Sequence, residues 1–207
     1  MKVSIITVVW NNKATIKNAM DSVLSQDYND IEYIVIDGGS GDGTIDVIDK
    51  YRNKISIFLS EPDKGIYDAL NKGIGLASGE VVAILHSDDQ FCNSRVVSNM
   101  MEKIEQTKVE LCFSNMVLVD EPSGKILRYY MASYFKIWMF KIGWMPPHPT
   151  CFIKRSLFDE FGMYSTDYKI AGDFDLLVRF FYSRKIRWSY LNQVTVKMST
   201  GGVSNSG

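Results

Sequence analysis

The sequence predicts an α/β protein built on a Rossmann-like, mostly parallel sheet flanked by helices. Strand-like apolar runs alternate with helix-like stretches through residues 1–110, which is the order that βαβ units produce. These runs are almost continuously apolar, which indicates strands buried on both faces. After residue 110 the alternation gives way to a predicted hairpin, so residues 111–207 are expected to form a mixed α+β half.

The first half contains four predicted strands, each followed by a predicted helix. Ile and Val dominate the strand runs, which favours strands, and polar residues that favour turns follow them. The strands are expected at 3–10, 31–37, 55–61 and 81–89, and the helices at 15–26, 44–53, 67–77 and 95–106.

The second half is expected to open with a hairpin, because runs at 111–120 and 125–130 flank the turn-forming sequence Glu-Pro-Ser-Gly. A helix over 134–145 follows, apolar on both faces. Prolines 146, 147 and 149 end this helix and support a loop that holds His148. The remaining elements are a strand at 151–155, helices at 156–161 and 173–183, and a strand at 188–198.

Composition restricts the class of protein. The 207 residues are 46% hydrophobic and carry 23 Lys and Arg against 24 Asp and Glu, so we expect one globular domain and no nucleic-acid partner. Cys92, Cys112 and Cys151 are widely spaced without a CxxC pair, which predicts free thiols in a reducing compartment. The apolar runs fall short of the roughly 18 residues that a membrane span needs, so a soluble or peripheral protein is expected.

Polar segments follow all four strands of the first half, at 10–12, 37–40, 61–65 and 86–89. Ligands of an open parallel sheet bind beyond the carboxyl ends of its strands, so these segments predict a site along one edge. Taken singly, each segment also fits a helix N-cap or a turn, because Asp, Asn, Ser and Gly favour such positions.

Two adjacent carboxylates, Asp88 and Asp89, end the fourth strand. Close like charges disfavour ionisation of both groups unless a cation lies between them and a ligand. Oxygen ligands suit Mg²⁺ or Mn²⁺, and such a cation typically bridges to the phosphates of a nucleotide. The alternative is an N-cap for a helix that begins near Asn93.

The glycine-rich segment 38–44 does not complete a dinucleotide-binding fingerprint, because Thr44 stands where GxGxxG requires its last glycine. The sequence also lacks a GxxxxGK[ST] phosphate loop. A phosphate would therefore be held by a metal and by scattered donors such as Lys64.

Asp173 and Asp175 lie near the start of the predicted helix 173–183, after Gly172. The helix dipole explains one of them, since it stabilises an N-terminal carboxylate by ~0.3–1 kcal/mol. A carboxylate that faces a cleft is instead a candidate general base for an acceptor hydroxyl.

Five segments in order resemble the family 2 glycosyltransferases, which have the GT-A fold. They are VSIITVVWNN, IEYIVIDGGSGDGT, SEPDKGIYDALNKGIGLASGE, ILHSDD and KIAGDFDLLVRF, and together they extend over nearly the whole chain. The ending GGVS, after Met198, is similar to a bacterial polysaccharide and O-antigen subset of that family. Similar proteins continue past this point, so any residues absent here would carry an acceptor-side or membrane-docking element.

The resemblance implies one domain, 1–207, with a nucleotide-sugar-binding half at 1–110 and an acceptor-side half at 111–207. It implies an inverting, metal-dependent transfer of a hexosyl or N-acetylhexosaminyl group. The expected donor is a UDP-sugar, and the expected acceptor is a hydroxyl of a saccharide or lipid-linked saccharide. Mn²⁺ or Mg²⁺ is the expected cofactor. Such an enzyme is expected in the cytoplasm, with peripheral contact at the inner face of the cell membrane.

The resemblance also assigns roles to individual residues. The matching positions are Val8, Trp10 and Asn11 at the nucleotide base, Asp37 hydrogen-bonded to that base, Asp88 and Asp89 at the ribose and the cation, and Asp173 as the general base.

Two departures from the family pattern concern the metal and the base. His86 stands where many relatives have the first Asp of D-x-D, and Gly172 where many have Glu, so the metal shell is expected to be weaker or differently arranged. His86 either ligates a cation or forms a structural hydrogen bond. His148 and Trp144 are placed on the acceptor side, with a loop hydrogen bond as the alternative for His148. The helix 134–145 is either a lid over the sheet, which we favour, or an aromatic and basic membrane anchor.

Two other functions are compatible with the sequence. A non-catalytic module of the same fold would bind a nucleotide or sugar without transfer, as the two departures allow. A nucleotidyltransferase would also use carboxylates and Mg²⁺, but it normally has a glycine-rich basic loop after the first strand. Residues 10–14 contain no glycine, so this alternative ranks third.

Overall fold

A computed structural model describes residues 1–120, 123–183 and 186–200, and its mostly parallel sheet with flanking helices confirms the predicted fold class. The strands are β1 (Val3–Val9), β2 (Ile31–Asp37), β3 (Ile57–Ser60), β4 (Val81–Ile84), β5 (Asp89–Phe91), β6 (Leu111–Asp120), β7 (Lys125–Tyr130), β8 (Phe152–Lys154) and β9 (Trp188–Ser199). The α-helices are α1 (Ile16–Leu24), α2 (Thr44–Asp49), α3 (Ile66–Leu76), α4 (Val96–Thr107), α5 (Arg155–Phe161) and α6 (Gly172–Tyr182). Short 3-10 helices lie at Arg52–Lys54, Ile137–Ile142 and His148–Thr150.

The described strands form one sheet in the order β3-β2-β1-β4-β8-β6-β9-β5, with β7 paired to β6. Strands β1 to β4 all run parallel to one another, and Val3 stands opposite both Ile31 and Val81. In the second half β6 is parallel to β9, while β8 and β7 run antiparallel to their partners. The carboxyl ends of the first four strands therefore meet at one edge, as the alternating pattern predicts.

Successive residues of the central strands pack against opposite helical layers. In β1, Ile6 and Val8 belong to a core shared with α3, α5 and α6, whereas Ile5 and Val9 belong to a core shared with α1 and α4. Both faces are thus covered, which is the physical reason why these strands are almost continuously apolar in sequence.

The helix predicted over 134–145 is wrong in length and type. Only Ile137–Ile142 is helical, as a 3-10 helix that ends at Gly143 in a left-handed conformation with φ of 76°. Phe135 precedes it and turns into the core, where it is 2% exposed and stacks on Trp144 at 5.7 Å. A single surface helix buries one face, so a segment that is apolar all round is accommodated by an irregular chain instead.

The hairpin is confirmed by the antiparallel pairing of β6 and β7. Of its turn, residues 121 and 122 lie outside the described residues, as does the GGVS sequence at 201–204. The three-residue strand β5 was not predicted, because it is too short to produce a periodic signal. It pairs with β9 through Asp89 and Met198.

The three cysteines are free, as predicted. Within residues 1–120, 123–183 and 186–200, none of the helices combines the length and the apolar character that crossing a bilayer requires.

Candidate active site

Hydrogen bonds join the polar strand ends into one continuous edge. The Asn12 side-chain amide donates to Ser87 Oγ at 2.9 Å, linking the segments after β1 and β4. Ser60 Oγ, at the end of β3, donates to Asp37 Oδ2 at 2.7 Å, at the end of β2. The parallel register thus brings together side chains up to 75 residues apart in sequence, as expected.

The two carboxylate oxygens of Asp37 differ, because one accepts hydrogen bonds from the turn and the other does not. Its carboxylate is 0% exposed, and Oδ2 accepts the backbone N–H groups of Gly39 and Ser40, each at 3.0 Å. The turn alternative therefore accounts for Oδ2. Oδ1 is buried and has no hydrogen-bond partner among the described residues, so it is an acceptor that these residues leave unsatisfied.

A flat, exposed surface lies beside Asp37. The Trp10 side chain is 68% exposed at the end of β1. Gly38 permits a close approach there, because a Cβ would stand 2.3 Å from Asp63 Oδ2 and 3.4 Å from Trp10 Cδ1. Asn11 has a φ of 47°, and its Oδ1 accepts the Gly41 N–H at 2.8 Å. An exposed ring next to a buried acceptor suits a stacked, hydrogen-bonded base.

Two other residues expected at the nucleotide are placed differently. Val8 is 5% exposed, and its side chain packs in the core. Lys64 is exposed, and its backbone N–H donates to Asp68 Oδ2 at 3.1 Å.

Asp88 and Asp89 differ sharply in environment. Asp88 is partly exposed, whereas Asp89 lies in β5 and is 1% exposed, with Oδ1 buried and unpartnered among the described residues. Burial, and then the neighbouring charge of Asp88, raise the pKa of Asp89 well above its usual range. The N-cap alternative is wrong for both, because α4 begins at Val96 and is preceded by Arg95.

Asp88 and Asp89, in the segment after β4, are the carboxylates here that could contribute to a divalent-cation site, with other ligands coming from elsewhere. Asp88 is partly exposed, and the buried Oδ1 of Asp89 and Nδ1 of His86 have no hydrogen-bond partner within the part of the chain that the structure describes. Among the described residues no cluster of three or more His, Cys, Asp or Glu is arranged to hold a metal. An open oxygen-based site of this kind is suited to Mg²⁺ or Mn²⁺ with diphosphate oxygens completing the shell.

A cavity of about 450 Å³ lies between this edge and the second half of the chain. Its wall brings together a histidine from the β4 end, a histidine from the proline-rich loop and a carboxylate from the start of α6. The lining residues are Ile66, Tyr67, Leu70, His86, Gly143, Met145, His148, Ile170, Ala171, Asp173 and Phe174.

The two carboxylates at the start of α6 have separate roles in the structure. Asp175 pairs with Arg179 on the next turn, at 2.9 Å, a structural role that comes in addition to the predicted effect of the helix dipole. Asp173 lines the cavity instead. Its Oδ1 accepts the Phe174 N–H at 2.9 Å and faces the Tyr67 hydroxyl at 3.5 Å. The cavity thus contains a carboxylate placed to take a proton from a bound hydroxyl.

His148 combines the two alternatives considered for it. It lines the cavity, and its Nε2 lies 2.5 Å from the Tyr164 hydroxyl. Burial lowers the pKa of His148 to about 4, against the opposing charge of Asp173, so the ring is neutral at pH 7. His86 lies nearby, with ring centroids 6.4 Å apart, and burial lowers its pKa as well.

Trp144 does not line the cavity, although its neighbours Gly143 and Met145 do. Its ring packs against Tyr134 at 5.1 Å and Phe135 at 5.7 Å. Trp144 therefore supports the cavity wall from behind Gly143 and Met145.

Tyr67 and Tyr164 are the functional candidates that sequence reasoning missed. Tyr67 stands in the segment DKGIYDALNKG, from which only Lys64 was selected. Its position in a helix gave no sign that its ring reaches the start of α6. Tyr164 is in a loop without a periodic or motif signal.

The fold and the site define an α/β protein with polar side chains at the carboxyl edge of its parallel strands and an adjoining cavity that Asp173 lines. The family model described as Glycosyl transferase family 2 matches residues 4–169. A Mycobacterium tuberculosis protein named as an uncharacterized glycosyltransferase is 34% identical over 186 residues, which cover 86% of this chain and 68% of that relative. The chain therefore belongs to glycosyltransferase family 2, which confirms the resemblance drawn from its motifs.

Solved structures of the same fold confirm the GT-A expectation. S. aureus TarS 1-349 in complex with UDP-GlcNAc matches with a TM-score of 0.83 at 20% identity, covering 100% of this chain. The mannosyltransferase PcManGT from Pyrobaculum calidifontis, in complex with GDP-Man and Mn²⁺, matches with a TM-score of 0.71 at 20% identity, covering 96% of this chain. The present chain spans 61% and 56% of the length of these two structures.

Proposed function

We propose that this protein transfers a sugar from a nucleoside diphosphate, with UDP as the expected nucleotide, to an acceptor hydroxyl with inversion at the anomeric carbon. The observation that carries the proposal is the position of Asp173. This carboxylate lines a cavity that also reaches His86, two residues before Asp88, so a base and a diphosphate site adjoin. The TarS and PcManGT complexes, which contain UDP-GlcNAc and GDP-Man, support a nucleotide-sugar donor.

The donor is assigned to the half formed by residues 1–110. The nucleotide base would stack on Trp10 and donate an N–H to Asp37 Oδ1, the buried acceptor for which the described residues provide no partner. Asn11 is assigned to the edge of the nucleotide site, and Lys64 is available to a phosphate from its exposed position, whereas the side chain of Val8 supports the site from the core.

Asp88 and Asp89 are the residues proposed to hold Mn²⁺ or Mg²⁺, with Asp88 as the accessible ligand. Held there, a cation would supply positive charge that stabilises the diphosphate as a leaving group. Occupation would also offset the cost of ionising Asp89, whose buried Oδ1 has no partner among the residues that the structure describes. The Mn²⁺ in the PcManGT complex supports this assignment.

The acceptor is assigned to the half formed by residues 111–207, in the cavity next to Asp173. As the acceptor oxygen bonds to the anomeric carbon, its proton passes to Asp173 and the bond from that carbon to the diphosphate oxygen breaks. The nucleoside diphosphate leaves from the opposite side of the sugar. Neutral His148, fixed by Tyr164, is placed to hydrogen-bond the acceptor.

Two variants of matched size test this function. Asp173→Asn removes the proposed base, whereas Asp175→Asn removes the neighbouring carboxylate that pairs with Arg179. With UDP-GlcNAc and Mn²⁺, we expect Asp173→Asn to lower the release of UDP by about 10²- to 10⁴-fold and Asp175→Asn to retain most of it. Full activity in Asp173→Asn would refute the proposal. UDP binding without turnover in the parent protein, for any donor, would favour the non-catalytic module.

A lipid-linked saccharide is the acceptor class we favour within this function. The outer surface of the segment before the cavity exposes Trp138 and Ile142, at 55% and 67%, together with Lys136 and Lys141. Its inner face packs on α6 through Phe140, in agreement with the favoured lid. One segment thus supports both a cover for the cavity and a peripheral contact with an anionic lipid surface.

A further inference from the structure

The N–H of Gly172 and the carboxylate of Asp173 converge on one hydroxyl group. The Gly172 backbone N–H donates to Tyr67 Oη at 2.8 Å, and Tyr67 Oη lies 3.5 Å from Asp173 Oδ1. A tyrosine hydroxyl has one proton to donate. The hydroxyl accepts the Gly172 N–H through a lone pair, so its own proton remains available to Asp173 Oδ1, which lies at the outer limit of hydrogen-bond distance.

Gly172 is required for this contact because the Tyr67 ring occupies the space that a side chain would fill. A Cβ at position 172 would stand 2.8 Å from two ring carbons of Tyr67, which is closer than real Cβ contacts allow. The absence of a side chain at Gly172 therefore admits the tyrosine to the start of α6.

The Tyr67 ring is fixed from its other side. It stacks on Tyr164 with ring centroids 5.6 Å apart and an interplanar angle of 16°. Tyr164 is clamped to α3 by the Asn71 side chain, which accepts its backbone N–H at 3.0 Å and donates to its carbonyl at 2.9 Å. The Tyr164 hydroxyl bonds to His148. Both tyrosine rings are thus held by elements on either side of the cavity.

We propose that Tyr67 is a positioning residue that orients the carboxylate of Asp173. This inference rests on the proposed role of Asp173 as the base. The Tyr67 hydroxyl and the Phe174 N–H both engage Oδ1, so Oδ2 is the oxygen assigned to the acceptor proton. The ring stack on Tyr164 sets the direction of the hydroxyl.

The hydroxyl stays protonated in the working range of pH. Burial, and then the negative charge of Asp173, raise the pKa of Tyr67 above its ordinary value of 10.0. Tyr67 is therefore a hydrogen-bond donor and not a second base.

Kinetics separate a positioning role from a structural one. Tyr67→Phe keeps the ring stack and removes the hydroxyl. Tyr33→Phe is the matched control, because it removes another buried hydroxyl, bonded to Thr7 in the opposite core. With UDP-GlcNAc and Mn²⁺, we expect Tyr67→Phe to lower kcat for UDP release by about 10- to 100-fold at unchanged donor KM. Tyr33→Phe is expected to leave kcat unchanged.

The double variant gives a second kinetic criterion. If Tyr67 acts only through Asp173, Tyr67→Phe combined with Asp173→Asn will be no slower than Asp173→Asn alone. An unchanged kcat in Tyr67→Phe, while Asp173→Asn is inactive, would overturn this inference and leave the proposed function intact. Full activity in Asp173→Asn would instead refute the proposed function itself.

A titration tests the pair without turnover. In protein carrying tyrosine labelled with ¹³C at Cζ, the Tyr67 resonance is expected to titrate at lower pH in Asp173→Asn than in the parent, because a neighbouring negative charge is removed. Asp175→Asn is the control and should leave the midpoint in place. An identical midpoint in Asp173→Asn would show that the two groups are uncoupled and would overturn the inference.

Discussion

Among single residues, Ala171 has the backbone conformation that most constrains the site. Its φ of 72° lies in the left-handed region, and it immediately precedes α6 and lines the cavity. An L-residue pays about 1–2 kcal/mol for this conformation. The strain fixes the direction in which the chain enters α6, and therefore the position of Asp173.

Replacing Ala171 with glycine should relieve this strain. We expect Ala171→Gly to raise the free energy of unfolding by about 1 kcal/mol, measured by urea denaturation, and to lower kcat because Asp173 is held less firmly. Ala14→Gly is the control, since Ala14 is exposed and lies outside the left-handed region. A loss of stability in Ala171→Gly equal to that in Ala14→Gly would contradict the interpretation.

A buried carboxylate joins three elements at the opposite edge of the sheet from the site. The side chain of Glu32, in β2, is 7% exposed and accepts a hydrogen bond from Ser4 Oγ of β1 at 2.6 Å. It also accepts the backbone N–H and hydroxyl of Ser78, at 2.7 and 2.6 Å, and pairs with Lys2 at 3.0 Å. Burial opposes ionisation, but these hydrogen bonds outweigh it and lower the pKa of Glu32 to about 2.

Glu32→Gln should therefore destabilise the fold at neutral pH. The depressed pKa corresponds to roughly 3 kcal/mol, present above pH 4.5 and lost as the pH falls towards 2. Urea unfolding at pH 7 and at pH 3 should show a large difference between variant and parent at pH 7 and a smaller one at pH 3. Glu61→Gln, which removes a half-exposed partner of Lys72, should cost less than 1 kcal/mol. Equal effects of the two variants would contradict this account.

The whole molecule should respond to donor and cation together. Because a ligand that binds only the folded state raises its stability, UDP with Mn²⁺ should raise the melting temperature more than either alone. EDTA should abolish the joint effect, and so should Asp88→Asn. A rise with UDP that is indifferent to EDTA would exclude the proposed cation from nucleotide binding.

The exposed apolar surface should govern lipid contact at the same scale. We expect the chain to sediment with vesicles of phosphatidylglycerol more than with vesicles of phosphatidylcholine, since lysines favour an anionic surface. Trp138→Ser with Ile142→Ser should reduce this binding, while Leu127→Ser, at an exposed position on β7, should not. Equal binding by both surface variants would contradict a specific contact through this segment.

Part of this site was predictable from the sequence because several of its residues come directly after predicted strands. Asp37 and Asp88 stand where apolar runs stop, and the parallel order of β1 to β4 places such ends together. Asp173 was predictable as a candidate because two carboxylates near one helix start exceed what the dipole explains. The difference in burial between Asp88 and Asp89 was not predictable, since it arises from the pairing of β5 with β9.

The sequence by itself determined the alternating order of strands and helices in the first half, the edge at which the polar residues gather and the family to which the chain belongs. These follow from local periodicity and short motifs, which act over a few residues. The tertiary structure decided that Asp173 and not Asp175 faces the cavity, and that Tyr67 reaches it from α3, 106 residues away along the chain. Such contacts depend on the packing of α3 against the start of α6, which no local pattern encodes.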